Sequence, residues 1–313
     1  MSMQRSLRAP AARAALGALT IASTTMSAAP AAGQSAKEND SDPTARLAAS
    51  LRDDAVRYGE RVVLTGRAGG SGGAGVALEF RARGTSAWVP VAQAQTTPSG
   101  RYRLAVALSR SGAVRVATAT TSTRAHAVRV AGRLSVATRR LNVLPGRGAL
   151  VAGALRRPHA GRVVTLQRRG EHGWSTIARD RTDAQGRYRL RDQPRPGTSG
   201  VVRVRFGGDA ANAGVRRRVG RLNAFRRTFA SWFGPGFYGS RTACGQTFSA
   251  GIMGVAHKSL PCGTQVVLRR GDRIVQARVV DRGPFAAGRE FDLSPAVKQR
   301  LGFGSTGPLW VAV

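Results

Sequence analysis

The sequence has few side chains that bind metals: two Cys and four scattered His among 313 residues. Structural zinc sites need four closely spaced Cys and His ligands, so we do not expect one here. The chain also lacks a GxxxxGK[ST] motif and a GxGxxG motif after a strand pattern. These absences exclude zinc hydrolases and iron–sulfur proteins, and we expect no metal or cofactor.

Acidic and aromatic residues are also scarce. The chain has 16 Asp and Glu against 50 Lys and Arg, a formal charge of +34, and 6% aromatic residues. Counting letters gives 3 Lys, which leaves 50 − 3 = 47 Arg. Short alternating runs of Val, Leu, Arg and Thr, broken by Gly, predict a protein made mostly of β-strands.

The first residues have the pattern of a signal peptide. Arg5, Arg8 and Arg13 precede an apolar stretch at 14–23, and Ala29-Pro30-Ala31 resembles a cleavage site. An uncleaved anchor is the alternative, although the stretch is shorter than the roughly 20 apolar residues that a span needs. We therefore expect a signal peptide at 1–31, a linker at 32–46, and a secreted protein without an integral membrane segment after cleavage.

Outside the cell, Cys244 and Cys262 can form a disulfide, which would stabilise the fold by about 3 kcal/mol in the chain-entropy model. A buried reduced pair is the alternative. Because the first cysteine is Cys244, no thiol is available for lipid attachment near the cleavage site.

A repeat becomes visible when the chain is shifted along itself by 86 residues. The motif Gly-Arg-Tyr-Arg-Leu at 100–104 then falls on the same motif at 186–190, and Trp88 falls on Trp174. Tyr and Leu alternate with Arg in both copies, so one face of each strand can be buried while the other is charged.

Further upstream, an offset of 87 aligns 76–81 with 163–168. The first copy predicts strands at 61–66, 76–82, 88–94, 102–106 and 113–118. Such spacing is typical of β-sandwiches. We expect two of them, at 47–130 and 131–222, similar in architecture to the Ig-like modules of bacterial surface proteins.

The positive charge is concentrated in this repeated region. Residues 47–227 contain 35 Arg and 9 acids, a net charge of 35 − 9 = +26, whereas 228–313 carry 10 − 4 = +6. In an exported protein such a surface predicts adhesion to anionic cell-wall polymers. Nucleic acid is not the expected partner, because aromatic residues do not interleave with the arginines. The alternative is that Arg replaces Lys for genomic reasons and the charge only maintains solubility.

A third fold is expected at 228–313, where the chain becomes rich in aromatic residues and Gly. We interpret Arg216-Arg217-Arg218 upstream as part of a linker. Strands are predicted at 265–269 and 274–280. A short helix is predicted at 294–301, because Ser294 can cap it, Pro295 suits its first turn and Gly302 can end it.

Five ordered motifs in this segment resemble the rare lipoprotein A family of peptidoglycan lytic transglycosylases. They are Ala230-Ser231-Trp232-Phe233-Gly234, Thr242-Ala243, the run from Ala256 to Thr264, Asp281-Arg282-Gly283-Pro284-Phe285, and Asp292-Leu293-Ser294. The resemblance implies a six-stranded double-psi β-barrel, as in expansins, with an open groove for polysaccharide. The predicted fold class is therefore all-β: two sandwiches, then this barrel with one short helix.

Breaking a glycosidic bond needs a proton donor and negative charge near an oxocarbenium-like transition state. In the lytic reaction the C6 hydroxyl of the sugar forms an anhydro ring, so no water has to be activated. Asp292 matches the aspartate that related lytic barrels place at the groove floor, and we assign it general acid and base. Its alternative role is a helix cap, although Ser294 can supply that cap.

Asp281 is the second expected catalytic carboxylate, which either stabilises charge or favours protonated Asp292 by like-charge repulsion. Its alternative role is an ion pair with Arg282 or Arg289. The other two acids of this segment have simpler explanations: Asp272 is expected in a hairpin turn, and Glu290 is expected to be solvated.

One residue departs from the family pattern. The transglycosylases have Gly-Glu where this chain has Gly245-Gln246, and a glutamine can hydrogen-bond a sugar but cannot transfer a proton. Cys244 and Cys262 suggest a barrel stapled by a disulfide. His257 matches a family histidine and is either a substrate contact or a structural hydrogen-bonding group.

Aromatic residues complete the expected site. Trp232, Phe233, Phe237 and Tyr238 could stack on sugar rings, although some of them must form the core of so small a barrel. Together these features predict a secreted, cell-wall-associated protein that binds peptidoglycan and cleaves its glycan strands. The alternative is an expansin-like protein that binds polysaccharide without cutting it.

Overall fold

A computed structural model describes residues 47–69 and 72–313. The expected signal peptide at 1–31 and linker at 32–46 lie outside the described residues. Within them the chain consists of β-strands, one short 3-10 helix and one α-helix. None of the described helices has the length and apolar character that a membrane crossing requires.

The first sandwich is built from eight strands. They are β1 (Ala48–Leu51), β2 (Ala55–Arg57), β3 (Arg61–Arg67), β4 (Gly75–Ala82), β5 (Val89–Gln95), β6 (Arg101–Ala107), β7 (Gly112–Ala117) and β8 (His126–Ala131). Strands β1, β3 and β6 form one sheet, and β8, β7, β4 and β5 face it across a shared apolar core. The five strands predicted for the first repeat are confirmed to within one residue at every end.

The second sandwich repeats this plan. Its strands are β9 (Arg133–Arg140), β10 (Asn142–Val143), β11 (Ala149–Arg156), β12 (Val163–Gly170), β13 (Gly173–Arg181), β14 (Arg187–Asp192), β15 (Ser199–Gly208) and β16 (Ala213–Ala224). Strands β14, β11 and β9 pack against β13, β12, β15 and β16. The Ig-like assignment of both units stays a prediction.

The expected alignment of 76–81 with 163–168 is wrong by one residue. In β4, Val76 and Leu78 point into the core, and their counterparts in β12 are Val164 and Leu166, an offset of 88. Val163, which the shorter offset matches to Val76, is 43% exposed. Since side chains alternate between faces, a slip of one residue exchanges the buried set for the exposed set.

The shared Tyr motif has the same structural role in both sandwiches. The Tyr102 hydroxyl donates to the carbonyl of Ala48 at 2.6 Å, and the Tyr188 hydroxyl donates to that of Ser135 at 2.7 Å. Each ring crosses a glycine of the neighbouring strand, Gly66 or Gly153, where an added Cβ would overlap the tyrosine. The motif therefore links the two outer strands of each three-stranded sheet across its central strand.

The two larger sheets join into one ten-stranded sheet. The junction is the parallel pair of β16 and β8 at Ala213 and Ala131. Asn212 reinforces it from a buried position, donating to the carbonyls of Ser109 and Val130 at 3.1 and 3.3 Å. The sandwiches therefore continue into each other without a flexible connection.

The C-terminal unit is a closed barrel of six strands. They are β17 (Arg226–Trp232), β18 (Gly254–His257), β19 (Gln265–Arg270), β20 (Arg273–Asp281), β21 (Phe291–Leu293) and β22 (Gly307–Ala312), with α1 (Pro295–Leu301) before the last strand. Their order around the barrel is β17-β21-β18-β20-β19-β22. The pairs β17/β21 and β18/β20 are parallel, and the other neighbours are antiparallel. The predicted closed barrel and short helix are confirmed.

The expectation that Arg216, Arg217 and Arg218 belong to a linker is wrong, because all three lie within β16. Only Phe225 separates β16 from β17, and it is fully buried with Val267 and Ala312 of the barrel. The backbone of the last residue, Val313, exchanges hydrogen bonds with Gly197 and Ser199 of the second sandwich. The barrel is therefore packed onto this sandwich.

Candidate functional site

Both expected catalytic carboxylates lie in one row across the outer face of the barrel. Ser231 pairs with Asp292, Asp292 with Ala256, and Ala256 with Asp281, across β17, β21, β18 and β20. Their neighbours Ala230, Val255, Phe291 and Leu293 point into the core, so the row points away from it. Asp292 and Asp281 are partly exposed, whereas Ser231 and Ala256 in the same row are buried. Asp292 and Asp281 flank one strand, which separates their Cα atoms by about 10 Å.

Asp292 is partly exposed and has one strong partner. The Ser231 hydroxyl donates to Oδ1, and Oδ2 has no hydrogen-bond partner within the described part of the chain. The alternative role as a helix cap is not observed. The expected Ser294 cap is absent as well, because its hydroxyl donates to the Ile252 carbonyl and accepts from the Gly254 amide.

Asp281 is held by the backbone. Its Oδ1 accepts from the amides of Ala243 and Arg282 at 2.8 and 2.9 Å, and among the described residues it forms no ion pair with Arg282 or Arg289. Fixing Asp281 in this way also anchors the loop that carries Ala243. Each carboxylate therefore has one oxygen that is held and one that is available to a ligand.

The predicted disulfide is confirmed. Cys244 and Cys262 are bonded, with their Cα atoms 5.6 Å apart, and join this loop to the turn that follows β18. Gln246 lies in the same loop, where its backbone exchanges hydrogen bonds with Thr242. Its side chain is exposed and makes no hydrogen bond among the described residues. The loop thus presents a free amide at the position where the resemblance implies a carboxylate.

Glu290 is not solvated as expected. Both of its oxygens are bonded by the Arg226 guanidinium, and it also accepts from the Thr228 hydroxyl. Burial alone would raise the pKa of Glu290, but hydrogen bonds from Arg226 and Thr228, the Arg226 charge and a bond from His257 lower it to about 2. Glu290 is therefore an anion at every physiological pH.

His257 is oriented by the same group. Its Nδ1 accepts from the amides of Ser259 and Leu260 at 3.1 and 3.0 Å, so the ring proton of the neutral form lies on Nε2, 3.5 Å from Glu290. The side chain is only 11% exposed. Both ring nitrogens are thus occupied by the protein, which is the structural alternative raised for this residue.

The expected sugar-stacking aromatics divide into two groups. The ring of Trp232 packs against the barrel core, and the Lys298 ammonium covers one face at 3.5 Å from the centroid. Phe233 and Tyr238 both stack on a buried ring, Phe248, at centroid distances of 4.4 and 5.6 Å. Phe237 and Tyr238 remain 56% and 44% exposed, so these two rings have the most free surface among the predicted contacts.

Three contributors were not predicted: Ser231 as the partner of Asp292, Phe248 beneath the aromatic rings, and Glu290 beside His257. Ser231 could have been predicted, because side chains alternate along β17. Since Ala230 points into the core, Ser231 points to the outer face of the barrel. The other two depend on contacts between distant segments. Among the described residues, no group of three or more His, Cys, Asp and Glu could hold a metal ion.

Residues 227–313 match the family model described as lytic transglycolase. Among curated proteins, the chain is 41% identical over 102 residues to the probable endolytic peptidoglycan transglycosylase RlpA of Synechocystis, covering 29% of this chain and 32% of that protein. It is 43% identical over 86 residues to endolytic peptidoglycan transglycosylase RlpA of Pseudomonas aeruginosa, covering 27% and 25%. The chain thus spans a third or less of these relatives. The expected resemblance and the double-psi β-barrel are confirmed for the C-terminal region.

Solved structures match this chain only at a low level. The match to the D0–D1 domain of intimin covers 56% of this chain and 98% of that structure, with 14% identity and a TM-score of 0.23. A score of this size does not assign a fold to the N-terminal units.

Proposed function

We propose that the protein is an exported, cell-wall-associated lytic transglycosylase that binds peptidoglycan and cleaves its glycan strands. The observation that carries this proposal is the outward row of Asp292 and Asp281 on a barrel that matches the lytic transglycolase model. Two carboxylates with one free oxygen each, on either side of a strand occupied by the small Ala256, can face opposite sides of one sugar ring.

In the proposed reaction, protonated Asp292 gives its proton to the leaving glycosidic oxygen. The resulting carboxylate then accepts the proton of the C6 hydroxyl while the C6 oxygen bonds to the anomeric carbon. Asp281 would stabilise positive charge on the ring between these steps. Ser231 positions Asp292 by its hydrogen bond, and no metal or cofactor takes part.

Around this centre we propose Gln246, Phe233, Tyr238 and Trp232 as substrate contacts. The exposed amide of Gln246 and the exposed ring of Tyr238 support this role most directly. His257 would act indirectly, by shaping the turn after β18 through its bonds to Ser259 and Leu260.

The test is digestion of purified sacculi, with mass spectrometry of the released fragments. We expect 1,6-anhydro sugar ends from the wild type and a loss of at least about a hundredfold in Asp292→Asn, because the proton donor is removed. Asp272→Asn removes a fully exposed carboxylate from a turn of the same barrel and should retain full activity. If the wild type releases no anhydro ends, the proposed lytic activity is rejected.

Gln246 favours a second candidate, a protein that binds glycan without cutting it. If the exposed amide marks lost catalysis, wild-type protein should bind sacculi and release nothing, whereas Gln246→Glu should release anhydro products. If neither protein binds sacculi, both candidates are rejected.

A further inference from the structure

The outer face of the second sandwich carries a group of arginines that face solvent together. Arg205 on β15 pairs with Arg216 on β16, and Arg203 pairs with Arg218 in the next outward row. On the other side of β12, Arg179 lies in the same row as Arg205, with Thr165 between them. We call these five residues the arginine platform.

The platform lacks neutralising partners. None of its five arginines forms an ion pair with any described residue, and its rows on β12, β13, β15 and β16 contain no Asp or Glu. Arg203 is the innermost: its Nε donates to Gln167 Oε1 at 2.9 Å and its guanidinium lies 3.9 Å from the centroid of Trp174. Burial and the charges of Arg216 and Arg205 lower the pKa of Arg203, which shows how close the like charges lie.

The first sandwich contains the same arginine–tryptophan contact, with one difference in the partner of the arginine. Arg115, the counterpart of Arg203 at an offset of 88, lies 4.4 Å from the centroid of Trp88. Its partner is Glu79, an ion pair at 2.7 Å, whereas the residue 88 positions later is Gln167. Arg129 on the same face is likewise paired with Asp54 at 3.1 Å. The second repeat thus keeps the arginine and the tryptophan but lacks the carboxylate.

We propose that the arginine platform is a binding site for a linear phosphodiester polymer of the cell wall. This inference rests on the proposed function for the location of the protein, but it concerns a surface of the second sandwich that contains no barrel residue. The platform would hold the protein on the wall while the barrel acts on the glycan.

The geometry fits a flexible chain of phosphates. Neighbouring guanidinium groups originate about 5 Å apart across strands and about 7 Å apart along them. The guanidinium group of an arginine binds two phosphate oxygens at once, and several arginines that bind one polyanion release its counterions. Nucleic acid fits less well, because Arg203 already occupies a face of Trp174 and the platform presents no other aromatic ring for base stacking.

The test measures binding of poly(glycerol phosphate) to the full chain over a salt series. We expect Arg205→Gln/Arg216→Gln to weaken binding at least tenfold and to reduce the slope of log affinity against log salt by about 1.4, two phosphates at about 0.7 each. The matched control is Arg187→Gln/Arg191→Gln, which removes two exposed arginines from β14 in the opposite sheet of the same sandwich. This control should change binding less than twofold.

A sharper variant is Gln167→Glu, which introduces the carboxylate that the first sandwich already accommodates. It should weaken binding three- to tenfold without lowering the thermal midpoint, while Asp292→Asn should bind like the wild type. Equal losses in the Arg205/Arg216 and Arg187/Arg191 variants would overturn the proposal in favour of diffuse charge. Tighter binding of duplex DNA than of poly(glycerol phosphate) would also overturn it. Since no peptidoglycan is present, this outcome is independent of the sacculus digestion.

Discussion

Glu290 shows how far the state of one side chain depends on residues that are distant in sequence. Arg226 and Thr228 are more than 60 positions away, yet they turn an expected solvated acid into the partner of Arg226 and His257. Flanking residues such as Arg289 gave no sign of this. Asp292 and Asp281 lie in one row on either side of β18, and their assignment as the catalytic pair stays a prediction.

The low pKa of Glu290 predicts a pH-dependent contribution to stability. Its folded value of about 2 lies below the ordinary 4.5, so the contribution is complete above pH 4.5 and is lost as the pH falls towards 2. Glu290→Gln should lower the unfolding free energy by about 1 to 2 kcal/mol at pH 7, after allowance for partial exposure, and by less at pH 3. Denaturant titrations at the two pH values measure this.

Asp272→Asn is the control for that experiment, because this carboxylate is fully exposed and should show no pH-dependent difference. An equal loss at pH 7 and pH 3 in Glu290→Gln would contradict the prediction. It would mean that packing of the side chain, and not its charge, stabilises the barrel.

Among the secondary-structure elements, the clearest shared feature is a tyrosine whose ring crosses a glycine of the neighbouring strand in each three-stranded sheet. Periodicity alone located β6 and β14 and the buried face of each. It did not reveal that the hydroxyls of Tyr102 and Tyr188 reach the strands β1 and β9. That contact needs Gly66 and Gly153 at the crossing points, a requirement that becomes clear only from the register.

Tyr102→Phe and Tyr188→Phe should each lower the unfolding free energy by about 1 kcal/mol, the usual net contribution of one hydrogen bond. Burial raises the pKa of both hydroxyls to about 12, so the neutral form is favoured in the fold. Wild-type stability should therefore decline as the pH rises from 10 to 12, and each substitution should remove part of this decline. Thermal midpoints at pH 8 and pH 11 test the prediction, which fails if the variants and the wild type lose stability in parallel.

For the whole molecule, the decisive feature is continuity between the three units. A ten-stranded sheet runs through both sandwiches, and Phe225 is buried where the second sandwich meets the barrel. A run of three arginines suggested a linker, but all three are exposed residues of strand β16. The arginine platform and the carboxylate row are consequently parts of one connected body.

Phe225→Ala should lower the unfolding free energy by about 3 to 4 kcal/mol, because a fully buried ring is replaced by a cavity. We also expect the barrel and the second sandwich to unfold at separate temperatures in calorimetry. Phe229→Ala, at a 42% exposed position on the adjoining strand, should change both values far less. A single unshifted transition in the Phe225 variant would show that the junction does not couple the units.

Local patterns in the sequence determined the all-β class, the repeat, the ends of the short helix, the cysteine pair and the barrel motifs, because alternation, turn residues and caps act over a few positions. Only the tertiary structure decided which outward side chains share a row, what surrounds Glu290, and that Arg203 lacks the carboxylate that Arg115 has. These properties depend on strand register. A shift of one residue exchanges the two faces of a strand, and interactions between sequence neighbours do not distinguish one register from the other.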